Sequence, residues 1–372
     1  MIGELVLALE AVAPSRLAAE WDRVGFLLGD ASRPLRSALL CIDLTEQTLS
    51  EAIRLRCQAI VAYHPPIFEP IHRLTTGQSR ESLLLRCAEH RMALLSPHTA
   101  LDAVQGGVTD WLTDAIGRGE RWPITPASEH HPRERLKVVT FVPAYAVHVI
   151  RDAMVAAGAG HIGGYTACGF ESAGIGTFIA GAGTKPTIGK HGRLERVPEV
   201  RLEMVCSEHE SVAVIRALRQ AHPYETPPVE LHQLKALSDS DQGHGRIVRL
   251  DRPLARQEIV TRLRRALRIP KGTMQIVEGS GKKTHSLIGV VPGAGFSMFP
   301  KAVEQGCSMF ITGEARHHDQ LAAHAQGCDV VLAGHSQTER GFLPHLARLL
   351  QFHLPKVRMH VSRVDAPPAK WA

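Results

Sequence analysis

Short apolar runs alternate with helical patterns from the start of the chain. Residues 3–12 carry apolar positions at helical spacing, and residues 38–42 and 59–62 are continuous apolar runs separated by a helical pattern over 46–56. A second helix over 79–90 leads to a strand at 92–95, and 106–117 reads as a further helix that ends on Gly117. This β-α-β-α-β order predicts a mostly parallel sheet covered by helices. From 119 to 135 the composition turns to Pro, Glu, His and Arg without periodicity, which predicts a linker. The block that follows has a strand over 137–142, a helix over 144–157, glycine-rich turns, a strand over 201–205, a helix over 209–221 and a last strand. That is β-α-β repeated once, the order of a ferredoxin-like α+β sandwich. After the polar stretch 238–243, α/β alternation resumes: a helix at 255–267, strands at 286–291, 308–312, 329–332 and 357–361, and helices at 298–306, 314–326 and after His335. The simplest architecture is an α/β core built from both ends of the chain, 1–135 and 237–372, with residues 136–236 inserted as a separate α+β domain.

In open α/β sheets ligands bind beyond the carboxyl ends of the strands, and four apolar runs are followed there by polar residues. They are Tyr63-His64-Pro65-Pro66, Ser96-Pro97-His98-Thr99 continuing to Asp102, Thr312-Gly313-Glu314 continuing to His317-His318, and Gly334-His335-Ser336-Gln337-Thr338-Glu339. A single histidine after a strand is usually a cap, and a His/Glu pair four apart usually lies on a surface. Four such ends in one chain point further. His335 and Glu339 share one helix face, and with His64 and Asp102 they form a nitrogen and oxygen set suited to Zn, Mn or Fe. A bridging carboxylate is the usual means of holding two such ions about 3.5–4 Å apart.

Composition narrows the classes. The 372 residues include 21 histidines against 10 Phe, 4 Trp and 4 Tyr, an excess that asks for metal binding or acid–base chemistry. The seven cysteines are scattered without a C-x-x-C pair, which predicts a reducing cytoplasm and no thiol nucleophile. The N-terminal stretch lacks the form of a signal peptide, and no apolar run approaches the roughly 20 residues of a membrane span. A formal charge of +6 without a long basic run permits nucleic-acid binding but does not indicate it. The loop Pro292-Gly293-Ala294-Gly295 lacks the remainder of a phosphate-binding fingerprint and reads as a tight turn. The glycines of 158–164, with Gly174 and Gly176, likewise read as turns.

The same residues, in order, resemble a known family. Trp21-Asp22-Arg23-Val24-Gly25, Tyr63-His64-Pro65-Pro66-Ile67-Phe68, His98 to Asp102, Thr312-Gly313-Glu314 and Gly334 to Glu339 are similar to the motifs of the dinuclear-metal family named for the Ngg-interacting factor three, whose members are often labelled GTP cyclohydrolase I type 2 homologs. The middle block, with Gly160-His161-Ile162-Gly163, Cys168-Gly169-Phe170 and His222-Pro223-Tyr224-Glu225, resembles the PII/CutA-like insert of its longer members. The resemblance implies two divalent ions, held by His64, Asp102, His335 and Glu339 with the two carboxylates bridging, and a homo-hexamer with its metal sites facing an internal cavity. It departs at Tyr63, where many members have a histidine; a phenol is a poor ligand at neutral pH because its pKa is about 10, which leaves His98 or water to complete that side. The expectation is a metal-dependent hydrolase of unidentified small-molecule substrate, with Glu339 or His98 handling the proton of a metal-activated water. The alternative is a non-enzymatic metal-holding or regulatory scaffold whose insert binds an effector.

Overall fold

In the computed structural model, which describes residues 1–77, 79–127, 136–234, 241–279 and 281–367, the apolar runs of the first hundred residues lie side by side. Ser37–Cys41, Ala59–Ala62 and Ala93–Ser96 are buried at every position and pair in parallel. The C-terminal strand Arg358–Val361 joins them beside Ser37–Cys41, also in parallel. Burial on both faces is why these strands read as unbroken apolar runs. Successive residues point to opposite faces. Leu40, Val61 and Leu95 meet Leu5 and Leu9 of the helix Ile2–Val12 and Leu346 and Leu350 of the helix Leu343–His353. Leu39, Ile60 and Leu94 meet Leu49 of the helix Glu46–Arg54 and Leu84 of the helix Ser79–Glu89. Each fully buried leucine or isoleucine contributes roughly 1.5–3 kcal/mol. An antiparallel edge strand, Gly25–Leu28, which the hydrophobic pattern does not reveal, completes this sheet beside Ala93–Ser96.

A second sheet has a parallel centre of Thr284–Val290, Met309–Thr312 and Asp329–Leu332. Antiparallel strands flank it: Gln275–Val277 on one side, and Arg246–Ala255 followed by Gly119–Trp122 on the other. The last of these corrects the reading of 119–135 as a linker; residues 119–122 are an edge strand, and 128–135 lie outside the described residues. Gly119 imitates a turn signal but serves close approach, since a Cβ there would lie 2.1 Å from the Arg249 carbonyl oxygen. The charged Glu120 and Arg121 suit an edge. The helix expected after His335 is two helices, Gln337–Arg340 and Leu343–His353. Gly341 lies at the break, where a Cβ would meet the Trp111 ring at 2.4 Å.

The described residues up to 127 and from 241 onward form one compact unit, and those of 136–234 a second. The second has four strands and two helices in the order β-α-β-β-α-β. Its sheet runs Val229–Gln233, Leu136–Pro143, Leu194–Cys206, Gly169–Ile179, antiparallel throughout. The helices Val147–Ala156 and Ser211–Ala221 place Ile150, Met154, Val214 and Leu218 on Val138, Val142, Leu202 and Met204. Gly174 and Gly176 therefore lie inside a strand and not in turns; a Cβ at Gly176 would occupy the position of the Glu199 carboxylate, at 2.0 Å. No helix among the described residues is long and apolar enough to cross a membrane.

Candidate metal centre

His64 follows the strand Ala59–Ala62, with its backbone N–H bonded to the Ile42 carbonyl at 3.0 Å. His335 follows Asp329–Leu332 across the turn at Gly334, which has φ +89°, and Glu339 lies in the helix Gln337–Arg340. These elements aim three side chains at one point. The ligating atoms of His64, His335 and Glu339 all lie within 4.8 Å of one another. His64 Nε2 is 3.4 Å from Glu339 Oε2, and His335 Nε2 is 3.4 Å from Glu339 Oε1. The opposite nitrogen of each ring faces a carboxylate: His64 Nδ1 lies 2.8 Å from Asp43 Oδ1, and His335 Nδ1 lies 2.9 Å from Glu314 Oε1. Those acceptors put the ring hydrogen on Nδ1 and leave Nε2 as the ligating atom, the arrangement common to metal-bound histidines.

His64 Nε2 and Glu339 Oε2 are buried, yet neither makes a hydrogen bond. Buried polar atoms without hydrogen bonds are rare and costly, and a divalent cation held there would satisfy both. Gly293 closes one side. With φ +60°, it passes so near that a Cβ would lie 2.5 Å from Glu339 Oε1 and 3.2 Å from His335 Nε2. Its carbonyl accepts hydrogen bonds from the Gly313 and Glu314 N–H groups, and its own N–H donates to Thr338 Oγ1 at 2.9 Å. The tight turn at 292–295 is thus a wall of the site.

Asp102 lies beside the three-residue group and is not part of it. The buried Tyr63 hydroxyl donates to Asp102 Oδ1. His98 begins the helix His98–Ala103 at φ +30°, and its Nδ1 lies 2.8 Å from Asp22 Oδ1. Asp22 also accepts from the Thr99 N–H at 3.1 Å and from the Thr99 hydroxyl, and this clamp holds the unusual backbone of His98. The His98 ring stands 5.4 Å from that of His64 and 5.7 Å from that of Tyr63, centroid to centroid. His317 and His318 sit on the exposed start of the helix His317–Ala325, and their rings contact each other.

The electrostatics follow from these neighbours. Burial works against a charge on His64, but the hydrogen bond to Asp43 and the Glu339 carboxylate 3.4 Å away outweigh it and raise the pKa to about 10. Asp43 is lowered despite partial burial because it accepts from His64. Burial, together with the nearby Glu339 charge, raises Asp102 to about 7 against the opposing bond from Tyr63. Burial, followed by the charges of Asp102 and Glu339, pushes Tyr63 well above its ordinary value, so it remains a neutral donor.

The sequence reading did not assign Asp43, Glu314, Asp22 and Gly293. Asp43 obeys the same strand-end rule as His64, standing just past Ser37–Cys41, while the other three lie inside stretches noticed for different residues.

The Duf34/NIF3 (NGG1p interacting factor 3) family model matches residues 1–368. The chain belongs to this family. It is 33% identical over 370 residues to the GTP cyclohydrolase 1 type 2 homolog of Halalkalibacterium halodurans, covering 98% of each chain. It is 32% identical over 368 residues to the Bacillus subtilis protein of the same name, covering 98% of this chain and 97% of that one. Among solved structures it resembles a Bacillus cereus protein related to NIF3, with TM-score 0.65 and 30% identity over 99% of this chain and 98% of that one. Membership of the Duf34/NIF3 family therefore spans both sheets that supply the candidate ligands.

Proposed function

We propose that the protein is a divalent-metal-dependent hydrolase, with His64, His335 and Glu339 holding a tightly bound ion and Asp102, sharing Glu339, completing a second and weaker position. The observation that carries this reading is a pair of buried atoms that face each other at 3.4 Å without a hydrogen bond, His64 Nε2 and Glu339 Oε2, with the other nitrogens of His64 and His335 held by carboxylates. Zn, Mn and Fe all suit such donors. Bound there, a divalent cation supplies Lewis acidity and a nucleophile at neutral pH. Asp43 and Glu314 orient the two imidazoles. Because His98 keeps its hydrogen on Nδ1 toward Asp22, its Nε2 is the basic nitrogen that takes a proton during attack. Glu339 holds the metal side of the site, and Gly293 leaves the room it needs. Relatives named for a cyclohydrolase make a purine nucleotide the first substrate to test. Protein loaded with Zn, Mn or Fe and given GTP is expected to release formate or a pterin precursor, and Glu339→Gln to abolish the release. Absence of turnover with each metal would overturn the hydrolase.

The insert, with its β-α-β-β-α-β order, is read as a ferredoxin-like domain of PII/CutA type. We further propose a homo-hexamer in the cytoplasm, where seven unpaired thiols are at home. A second reading, a metal-holding scaffold regulated through the insert, is favoured by one feature. A cavity of about 340 Å³ within the insert is lined by Phe178, Lys185, Ile188, Glu199 and Tyr224, with Tyr224 bonded to Glu199 at 2.6 Å. A His335→Ala protein that loses metal but keeps its cellular role would favour this reading over catalysis.

A further inference from the structure

The two halves of the metal centre come from different sheets. His64 and its partner Asp43 belong to the first, and His335 and Glu339 follow a strand of the second. One side chain from the C-terminal segment touches both halves. After Arg358–Val361 the chain continues along the first sheet, with the Ser362 N–H bonded to the Leu40 carbonyl at 2.9 Å. The Ser362 hydroxyl and the Arg363 N–H then bond to the Glu51 carboxylate, which fixes this segment against the helix Glu46–Arg54. Asp365 lies beyond it. Its Oδ2 accepts the Ile42 N–H at 2.8 Å, immediately before Asp43. The same oxygen pairs with Arg340 Nη1, and that guanidinium nitrogen also donates to the Asp365 carbonyl at 2.9 Å. The Asp365 side chain is 2% exposed. Arg340 is the residue after Glu339.

We propose that Asp365 is a positioning residue of the metal centre, tying the strand end that carries Asp43 and His64 to the helix that carries Glu339. The inference rests on the reading of His64, His335 and Glu339 as metal ligands. Groups that hold ligands in place without touching the ion change affinity by about 10–100-fold when removed, and Asp365 acts on the spacing between two ligands at once.

The test uses Co2+ with the full-length chain, comparing the wild type with Asp365→Ala, Asp365→Asn and Arg340→Ala. Affinity is measured by chelator competition, ligand geometry by the visible absorption of the Co2+-saturated protein, and folding by urea denaturation after chelator treatment. Asp365→Ala and Arg340→Ala, which cut the tie at opposite ends, are each expected to weaken Co2+ binding about tenfold and to shift the visible bands. Asp365→Asn keeps an acceptor for Ile42 and Arg340 and is expected to restore most of both. Unchanged affinity and bands in folded Asp365→Ala or Arg340→Ala protein would overturn the proposal. Weaker binding with an unchanged spectrum would also overturn it, since that pattern belongs to general destabilisation. The metal reading fails separately if the wild type and His335→Ala bind Co2+ equally.

Discussion

The phenol of Tyr63 donates its hydrogen to Asp102, a buried carboxylate outside the three-residue group of His64, His335 and Glu339. One oxygen of Asp102 is thereby engaged with a buried, neutral donor. The second metal position proposed above would have no nitrogen from residue 63 and a carboxylate already in use. Dialysed wild-type protein is expected to retain about one ion per chain, and Tyr63→His to retain about two, since an imidazole is a ligand where a phenol is not. Metal analysis by mass spectrometry decides this. Two ions in the dialysed wild type would show that Tyr63 does not limit the site.

Gly293 makes a sharper steric prediction. Gly293→Ala places a methyl 2.5 Å from Glu339 Oε1 and 3.2 Å from His335 Nε2, on backbone at φ +60° where an L-residue costs roughly 1–2 kcal/mol. The variant is expected to lose that much stability in urea and to bind metal at least tenfold more weakly, an order of magnitude taken from changes beside metal ligands. Full affinity in this variant would mean that Glu339 does not hold the ion in the orientation described.

The pH dependence has opposite signs with and without metal. His64 is raised from 6.5 to about 10, so in chelator-treated protein its contribution to stability is complete below pH 6.5 and is lost as pH rises toward 10. A cation must displace that proton. Apparent affinity should therefore rise with pH, by about tenfold per unit if a single proton is released, throughout the range below 10. Calorimetric titrations in buffers of different ionisation enthalpy count the protons directly. An affinity independent of pH would remove His64 from the ligand set.

The central strands were legible because burial on both faces writes them as continuous apolar runs, and Leu39-Leu40 and Ile60-Val61 show the pattern plainly. The edges were not. Gly25–Leu28 and Gly119–Trp122 are half-covered and charged or glycine-bearing, so their pairing is set by neighbours far away in the sequence. The long strand Gly169–Ile179 is mostly exposed, and its glycines imitate turns. In the site, His64, His335 and Glu339 follow from position after strands. The Tyr63–Asp102 bond and the Gly293 wall do not, because each depends on how two separate segments are aimed. Arg246 is hidden for a related reason: nothing in its local sequence marks a buried charge.

That arginine supports the last prediction. Arg246 is 1% exposed, and its Nε donates to Asp110 Oδ1 at 2.7 Å. Its other nitrogens reach the carbonyls of Gly243, Gly245, Ala103 and Val104. The last two close the helix that carries His98 and Asp102, so a cation lies at that helix's carboxyl end, where it is favourable. Arg246→Met takes the closest cation from Asp110, whose Oδ2 keeps the Gly106 N–H and whose Oδ1 keeps only Arg121 at 3.9 Å, and removes the side-chain donor from the carbonyls of Gly243, Gly245, Ala103 and Val104. The expected cost is about 3–5 kcal/mol in urea unfolding, as for other broken buried pairs. Adding Asp110→Leu should recover part of that loss, because the buried carboxylate that has lost its closest cation is then gone. A double variant no more stable than Arg246→Met would show that the buried carboxylate is not the source of the cost and would place it in the bonds to the four carbonyls, two of which close the helix that carries His98 and Asp102.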